Sequence, residues 1–176
     1  MSMQSPNIIL FNNKNYLILD IEENKKIIDI KQLEEAKVIN EYKNQICVSS
    51  CWRGYIATYE VEDDKLFLKV IERDDSNIDN VDYELVFSGC VIIVEDDDSY
   101  FNTDFIQCLF EFNNAYELVF EAGKLNKKIS LNEMIEQFNQ QDKCDCLKYI
   151  NEKCTGKYGR RNYKWRTDDS LDDDEV

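Results

Sequence analysis

Residues 55–70, YIATYEVEDDKLFLKV, alternate in hydropathy on both sides of an acidic centre. Tyr55, Ala57, Tyr59 and Val61 fall on one side of the chain, Glu62-Asp63-Asp64 interrupts, and Leu66, Leu68 and Val70 resume the pattern. A period of two is that of a β-strand, whose side chains point alternately to opposite faces. The stretch therefore predicts two antiparallel strands joined by an acidic turn, and with them a fold built on a sheet.

Working outward, residues 7–11 and 16–20 are apolar runs around Asn12-Asn13-Lys14-Asn15, the composition of a hairpin turn. Residues 83–87 and 90–94 bracket Ser88-Gly89, which predicts a bend or bulge within one long strand. Residues 105–112 and 116–120 flank Asn113-Asn114-Ala115 and predict a further hairpin. Two stretches carry a different period. Leu33, Ala36, Ile39 and Tyr42 recur about every three residues and predict a helix over 30–42. Ser130-Leu131-Asn132-Glu133 has the form of a capping box ahead of a helix with Leu131, Ile135 and Phe138 as its apolar stripe, and residues 143–153 predict a second short helix with Leu147, Ile150 and Cys154 on one face. The expected fold is α+β: a β-dominated, antiparallel, hairpin-rich sheet or sandwich, with a helix after the first hairpin and one or two C-terminal helices. The expected organisation is one domain over 1–156 and a charged tail over 157–176, basic and aromatic over 157–166 and acidic over 167–176.

Charge narrows the function classes. The 176 residues hold 36 Asp and Glu against 21 Lys and Arg, a net charge of -15, with 43% hydrophobic residues to build one core. Such a chain repels phosphate backbones and anionic lipid headgroups, so the expected partner is a cationic protein surface, with neither direct nucleic-acid nor membrane binding. There is no histidine. That removes Ser-His-Asp and Cys-His nucleophile systems, imidazole metal ligands and the usual general base at neutral pH, so no enzyme activity, catalytic residue, cofactor or metal is assigned. The N-terminal residues show no basic segment ahead of an apolar stretch, and the longest purely apolar run is residues 91–94. With an odd number of cysteines, seven, read as reduced thiols, these features predict a cytoplasmic protein; no oligomeric state is expected from them.

The most distinctive motif is residues 51–60, CWRGYIATYE, which gathers aromatics around an Arg-Gly pair at the start of a strand. Together with ELVFSGCVIIV at 84–94 and YELVFEAGKL at 116–125, it resembles an uncharacterised bacterial family with a W-R-G-Y-x-A-x-aromatic-E core. The resemblance spans roughly residues 7–130, implies a β-rich fold, and carries no activity or catalytic residue. Val86 stands where that family favours Trp. Read from the residues themselves, Trp52, Tyr55 and Tyr59 suit core packing, with Arg53 facing an internal partner such as Glu60. The competing reading makes Trp52, Arg53, Tyr55 and Glu60 a pocket for a small molecule or peptide.

Other clusters carry less. Cys144 and Cys146 with Cys154 lack a knuckle spacing for zinc. A Ca²⁺ loop starting at Asp75 would place Asn80 where a glycine is needed and Val86 where the bidentate Glu belongs. The function favoured by charge is an acidic protein-binding module: an immunity-type or anti-defence inhibitor that occupies, as a nucleic-acid mimic, the basic surface of a nucleic-acid-handling protein. Its expected contact residues are the acidic loops Glu62, Asp63 and Asp64, and Glu95, Asp96, Asp97 and Asp98.

Overall fold

A computed structural model describes residues 6–22, 25–41, 53–74, 77–95, 109 and 112–139. Its elements in chain order are β1 (Ile8–Phe11), β2 (Lys14–Ile21), α1 (Ile30–Glu35), β3 (Ile56–Glu62), β4 (Lys65–Asp74), β5 (Asn77–Glu84), β6 (Gly89–Glu95), β7 (Ala115–Glu121), β8 (Lys124–Ser130) and α2 (Asn132–Asn139). Trp52, Asp96, Asp97, Asp98, the expected helix over 143–153, the three C-terminal cysteines and the tail lie outside the described residues, as does most of 105–112.

The α+β expectation is corrected. Strand accounts for 57% of the described residues and helix for 13%, and seven strands close into a β-barrel. The order β3-β1-β2-β6-β7-β8-β4 returns to its start through β3–β4 pairing, while β5 adds to β4 as an edge strand. All described pairings are antiparallel except β1 with β3. Register shifts between Ile18 and Asp20, Thr58 and Tyr59, Leu68 and Val70, and Val119 and Phe120 explain why an open sheet or sandwich does not form. Such irregularities bend and twist strands toward closure, and strict alternation in the sequence does not reveal them.

The helices are shorter than the apolar spacing suggested. The Asp29 carboxylate accepts from the Lys31 and Gln32 amides and starts α1. Lys37, at φ 56°, adopts a left-handed conformation and stops it, and Ile39 reaches the core from the following turn. At α2, Ser130 ends β8 and accepts weakly from the Asn132 amide, while the first helical bond runs from the Ile135 amide to the Leu131 carbonyl. Residues 83–87 also divide differently: β5 ends at Glu84, and 85–88 cross to a separate β6.

Two apolar clusters result. Ile9, Phe11, Ile18, Ala57, Tyr59, Leu66, Leu68, Val91, Ile93, Leu118 and Phe120 belong to the barrel-interior cluster, with Ile27, Ile28 and Leu33 from around α1 joining at one mouth. At the other mouth the Phe11 ring is tilted against Tyr16, Tyr16 meets Tyr116 edge to face, and Lys128 Nζ lies 4.1 Å from the Tyr116 ring centre. Leu17, Ile92, Val94 and Ala115 face outward and are covered by Leu109, Phe112, Leu131 and Ile135. Strand β6 is thus buried on both faces, which accounts for its continuous apolar run.

The seam of the barrel is narrow. Lys65 of β4 pairs with Lys124 of β8, flanked by the Leu66 amide bonding to the Gly123 carbonyl and the Leu125 amide to the Asp64 carbonyl. The 85–88 crossing fills the gap beside it: the Leu85 amide donates to Leu66, the Phe87 carbonyl accepts from Gly123, and the Leu85 and Phe87 side chains are buried.

Candidate functional site: an acidic sheet face and a cationic cleft

Strand directions place the Asp63-Asp64 turn and Glu95, the one described residue of the second expected acidic loop, at one mouth. β1, β3 and β6 run toward it, so the β1–β2 turn, the Asp63-Asp64 turn and Glu95 all lie there. Asp63 and Asp64 occupy left-handed conformations at φ 49° and 61°, a geometry that short Asp side chains tolerate in tight hairpins. Glu62 is held by Lys69 at 3.0 Å; Glu95 is held by Lys14 at 3.1 Å and accepts from Asn114 at 2.6 Å. These two carboxylates are therefore partly neutralised where they stand.

A larger acidic surface runs from this mouth along the outer face of β3, β4 and β5. Lys69 Nζ meets Asp82 at 2.7 Å, Glu62 at 3.0 Å and Glu60 at 3.3 Å, and it lies 5.1 Å from the Phe67 ring centre. Hydrogen bonding to Asp82 is the main reason its ammonium pKa is raised, with Glu62 and Glu60 adding to it against the opposing effect of burial. One ammonium cannot balance that many carboxylates. Glu84, paired with Lys65 at 3.0 Å, and exposed Glu72 extend the negative face.

Strand β5 borders this face. No described strand pairs with its second edge. The three exposed large hydrophobic side chains among the described residues are Ile78 (49%), Tyr83 (40%) and Val86 (84%), all on β5 or the segment that leaves it. On the inward side of its first turn, Asp79 pairs with Arg73, which also meets Glu34 at 3.0 Å and the Asn40 carbonyl at 2.8 Å; Asn40 donates in return to Asp79. This group ties β5 to α1 and fixes the edge strand on the barrel. None of Asp82, Glu84, Ile78 or Tyr83 stood out in the sequence, because β5 reads NIDNVDYE, with a single half-buried aliphatic residue, Val81, to mark its inner face.

The residues of the alternative pocket separate. Glu60 points to the outer face and bonds Lys69, whereas Arg53 and Tyr55 line a cleft of about 300 Å³ at the opposite mouth. Lys25 and Lys26, from the connection after β2, enter the same cleft with Asn7, Tyr59 and the aliphatic side chains of Ile18, Leu19, Ile21 and Ile27. The Arg53 guanidinium lies 5.9 Å from the Tyr55 ring centre. Asn7, itself buried, accepts from the Ala57 amide at 3.0 Å. Burial is the first cause that raises the Tyr59 phenol well above its ordinary pKa, Tyr55 adds to it, and Arg53 opposes it. Lys25 and Lys26 were missed in the sequence because a Lys-Lys pair among Glu and Asn carries no spacing signal.

Searches of protein-family descriptions, curated proteins and solved structures find no match to this chain. Among the described residues no helix is long and apolar enough to cross a membrane.

Proposed function

We propose that the chain is an acidic, cytoplasmic protein-binding module that captures a cationic extended segment of another protein along β5 and the outer face of β4. On this reading it acts as an immunity-type or anti-defence inhibitor, occupying a basic surface that its partner uses for nucleic acid. One observation carries the proposal: the second edge of β5, the exposed side chains Ile78, Tyr83 and Val86, and the carboxylates of Glu60, Asp82 and Glu84 occur together.

Each part has a separate physical consequence. An open strand edge offers main-chain donors and acceptors to a further strand. Carboxylates on that strand discourage a second copy of this chain, since like charges directly opposite one another destabilise a strand pair, and they favour a strand bearing Lys or Arg. Asp82 and Glu84 are two residues apart on one face, so they form a row with a spacing of roughly 7 Å. The exposed apolar side chains supply anchors that long-range charge cannot.

The test uses the full ¹⁵N-labelled chain and an eight-residue peptide of alternating lysine and valine. Saturable amide shifts on β4 and β5 that weaken as salt rises, and at least tenfold weaker binding to an Asp82→Asn/Glu84→Gln variant, are the expected result. Equal binding of a peptide with glutamate in place of lysine, or shifts confined to other surfaces, would overturn the proposal.

A further inference from the structure

We propose that the chain's own residues 163–170 add to β5 as a further strand, parallel to it, so that a partner must displace the tail to reach the acidic face. The inference rests on the reading of β5 as an acceptor for a cationic strand. The order of charges along the sheet points to this occupant. β4 pairs with β3 on one edge and with β5 and β8 on the other, since Phe67 meets both Glu60 and Glu84, and Lys65 meets both Glu62 and Lys124. β5 and β8 therefore lie end to end in one direction, both antiparallel to β4. Lys124 follows Glu84 by two residue positions, roughly 7 Å along the sheet. Along that line the charges read Asp82, Glu84, Lys124. Lys124 is exposed and directly opposite Lys65, a like-charge pair that a nearby carboxylate would relieve.

The tail carries the complementary order. Residues 163–168 read Tyr-Lys-Trp-Arg-Thr-Asp, with cations at 164 and 166, aromatics at 163 and 165, and an acid at 168. This is the period of a strand. A parallel register with Lys164 at Asp82 puts Trp165 at Tyr83, Arg166 at Glu84 and Asp168 level with Lys124. Trp165 then covers Tyr83, which is 40% exposed, and two opposite-charge pairs flank that aromatic pair. An antiparallel register would match the two cations equally well. It would, however, carry the six acids of 167–176 toward Asp79 and Asp74, so charge selects the parallel direction. Length permits the return. Residues 140–156 separate the end of α2 from the basic segment, and with 143–153 helical, as the sequence predicts, they span about 35 Å. A domain of this size is itself roughly 35–40 Å across.

The test places benzoylphenylalanine at Trp165 in one form of the full chain and at Ser170 in another, irradiates each at low protein concentration, and maps the links by mass spectrometry. Links within one chain, from position 165 to residues 81–85 and from position 170 to residues 124–127, are the expected result. Lys164→Glu/Arg166→Glu is expected to reduce the link from 165 at least fivefold, as is Asp82→Lys/Glu84→Lys. Combining the two exchanges should restore it, which a general loss of structure would not do. No link from 165 to β5, links only between two chains, links from 170 to residues 77–80, or no recovery in the combined variant would each overturn the proposal. The two readings fail separately. If the lysine–valine peptide shifts β5 while the link from 165 is absent, the tail is removed and the protein-binding reading stands; the link without peptide shifts upholds the tail and removes the outside partner.

Discussion

A methyl group on Gly123 would sit 1.9 Å from the Leu85 carbonyl oxygen, at a residue whose φ is +81°. The contact is to backbone and cannot be relieved by a rotamer change. Gly123→Ala is expected to destabilise by more than about 2 kcal/mol, combining left-handed strain with displacement of the crossing segment. Gly54 is the control: at φ +77°, an added Cβ meets nothing within 4 Å, so Gly54→Ala should cost only the conformational penalty of about 1 kcal/mol. Urea unfolding of the two variants checks the difference. Tyr59 yields a pH prediction. Its folded pKa lies above the unfolded value near 10, so above that pH the unfolded state loses a proton that the folded state keeps. Stability is therefore fully present below about pH 10 and falls beyond it, by up to about 1.4 kcal/mol per pH unit for this residue. Unfolding measured from pH 8 to 11 should show a shallower alkaline loss in Tyr59→Phe. The same scale shows where alternation misleads. Val70 continues the period of Leu66 and Leu68, but the register shift after Leu68 leaves Val70 half-buried and sends Ile71 to the core at 0% exposure.

Among the elements, those with a strong apolar pattern were legible and those held mainly by ladder bonds were not. The β1–β2 hairpin and the β3–β4 turn follow directly from alternation around Asn and Asp pairs. β8 reads KLNKKIS, with Leu125 and Ile129 only half-buried, and β5 reads NIDNVDYE; neither has a face apolar enough to be recognised. Barrel closure passes through β8 and its short pairing with β4, while β5 is the edge strand outside the ring, which is why the sequence pattern points to a sheet or sandwich and not to a barrel. For the same reason the Asp63-Asp64 turn was legible while the Asp82–Glu84 row beside the open edge was not. The Arg73 group makes β5 dependent on α1. Arg73 and Asp79 side chains are 5% and 9% exposed, so Asp79→Ala leaves a buried guanidinium short of a partner and is expected to cost about 3–5 kcal/mol. Arg73→Met together with Asp79→Ala should cost less than the two single changes added together. A double-mutant cycle by urea unfolding measures that coupling.

At the scale of the whole molecule, a net charge of -15 creates an attractive field for basic proteins, and the fold gives it direction. The outer face of β3, β4 and β5 is negative, while the cleft at the mouth away from the acidic turns is cationic. Exposed charges act mainly on encounter and are screened beyond about 8–10 Å near physiological ionic strength. Association with a basic partner should therefore slow as salt rises, and Glu60→Gln/Asp82→Asn/Glu84→Gln should reduce the on-rate more than it changes the off-rate. The central claim, that β5 and its acidic face receive a cationic protein, is tested most directly by photo-cross-linking in the cells that make this chain. Benzoylphenylalanine replaces Tyr83 in one form and Lys127, on β8, in a control. The account predicts a protein adduct from position 83 that has a basic contact surface, is absent from position 127, and is lost when Glu60, Asp82 and Glu84 are neutralised. No adduct from position 83, or an adduct that survives the charge neutralisation, would contradict it.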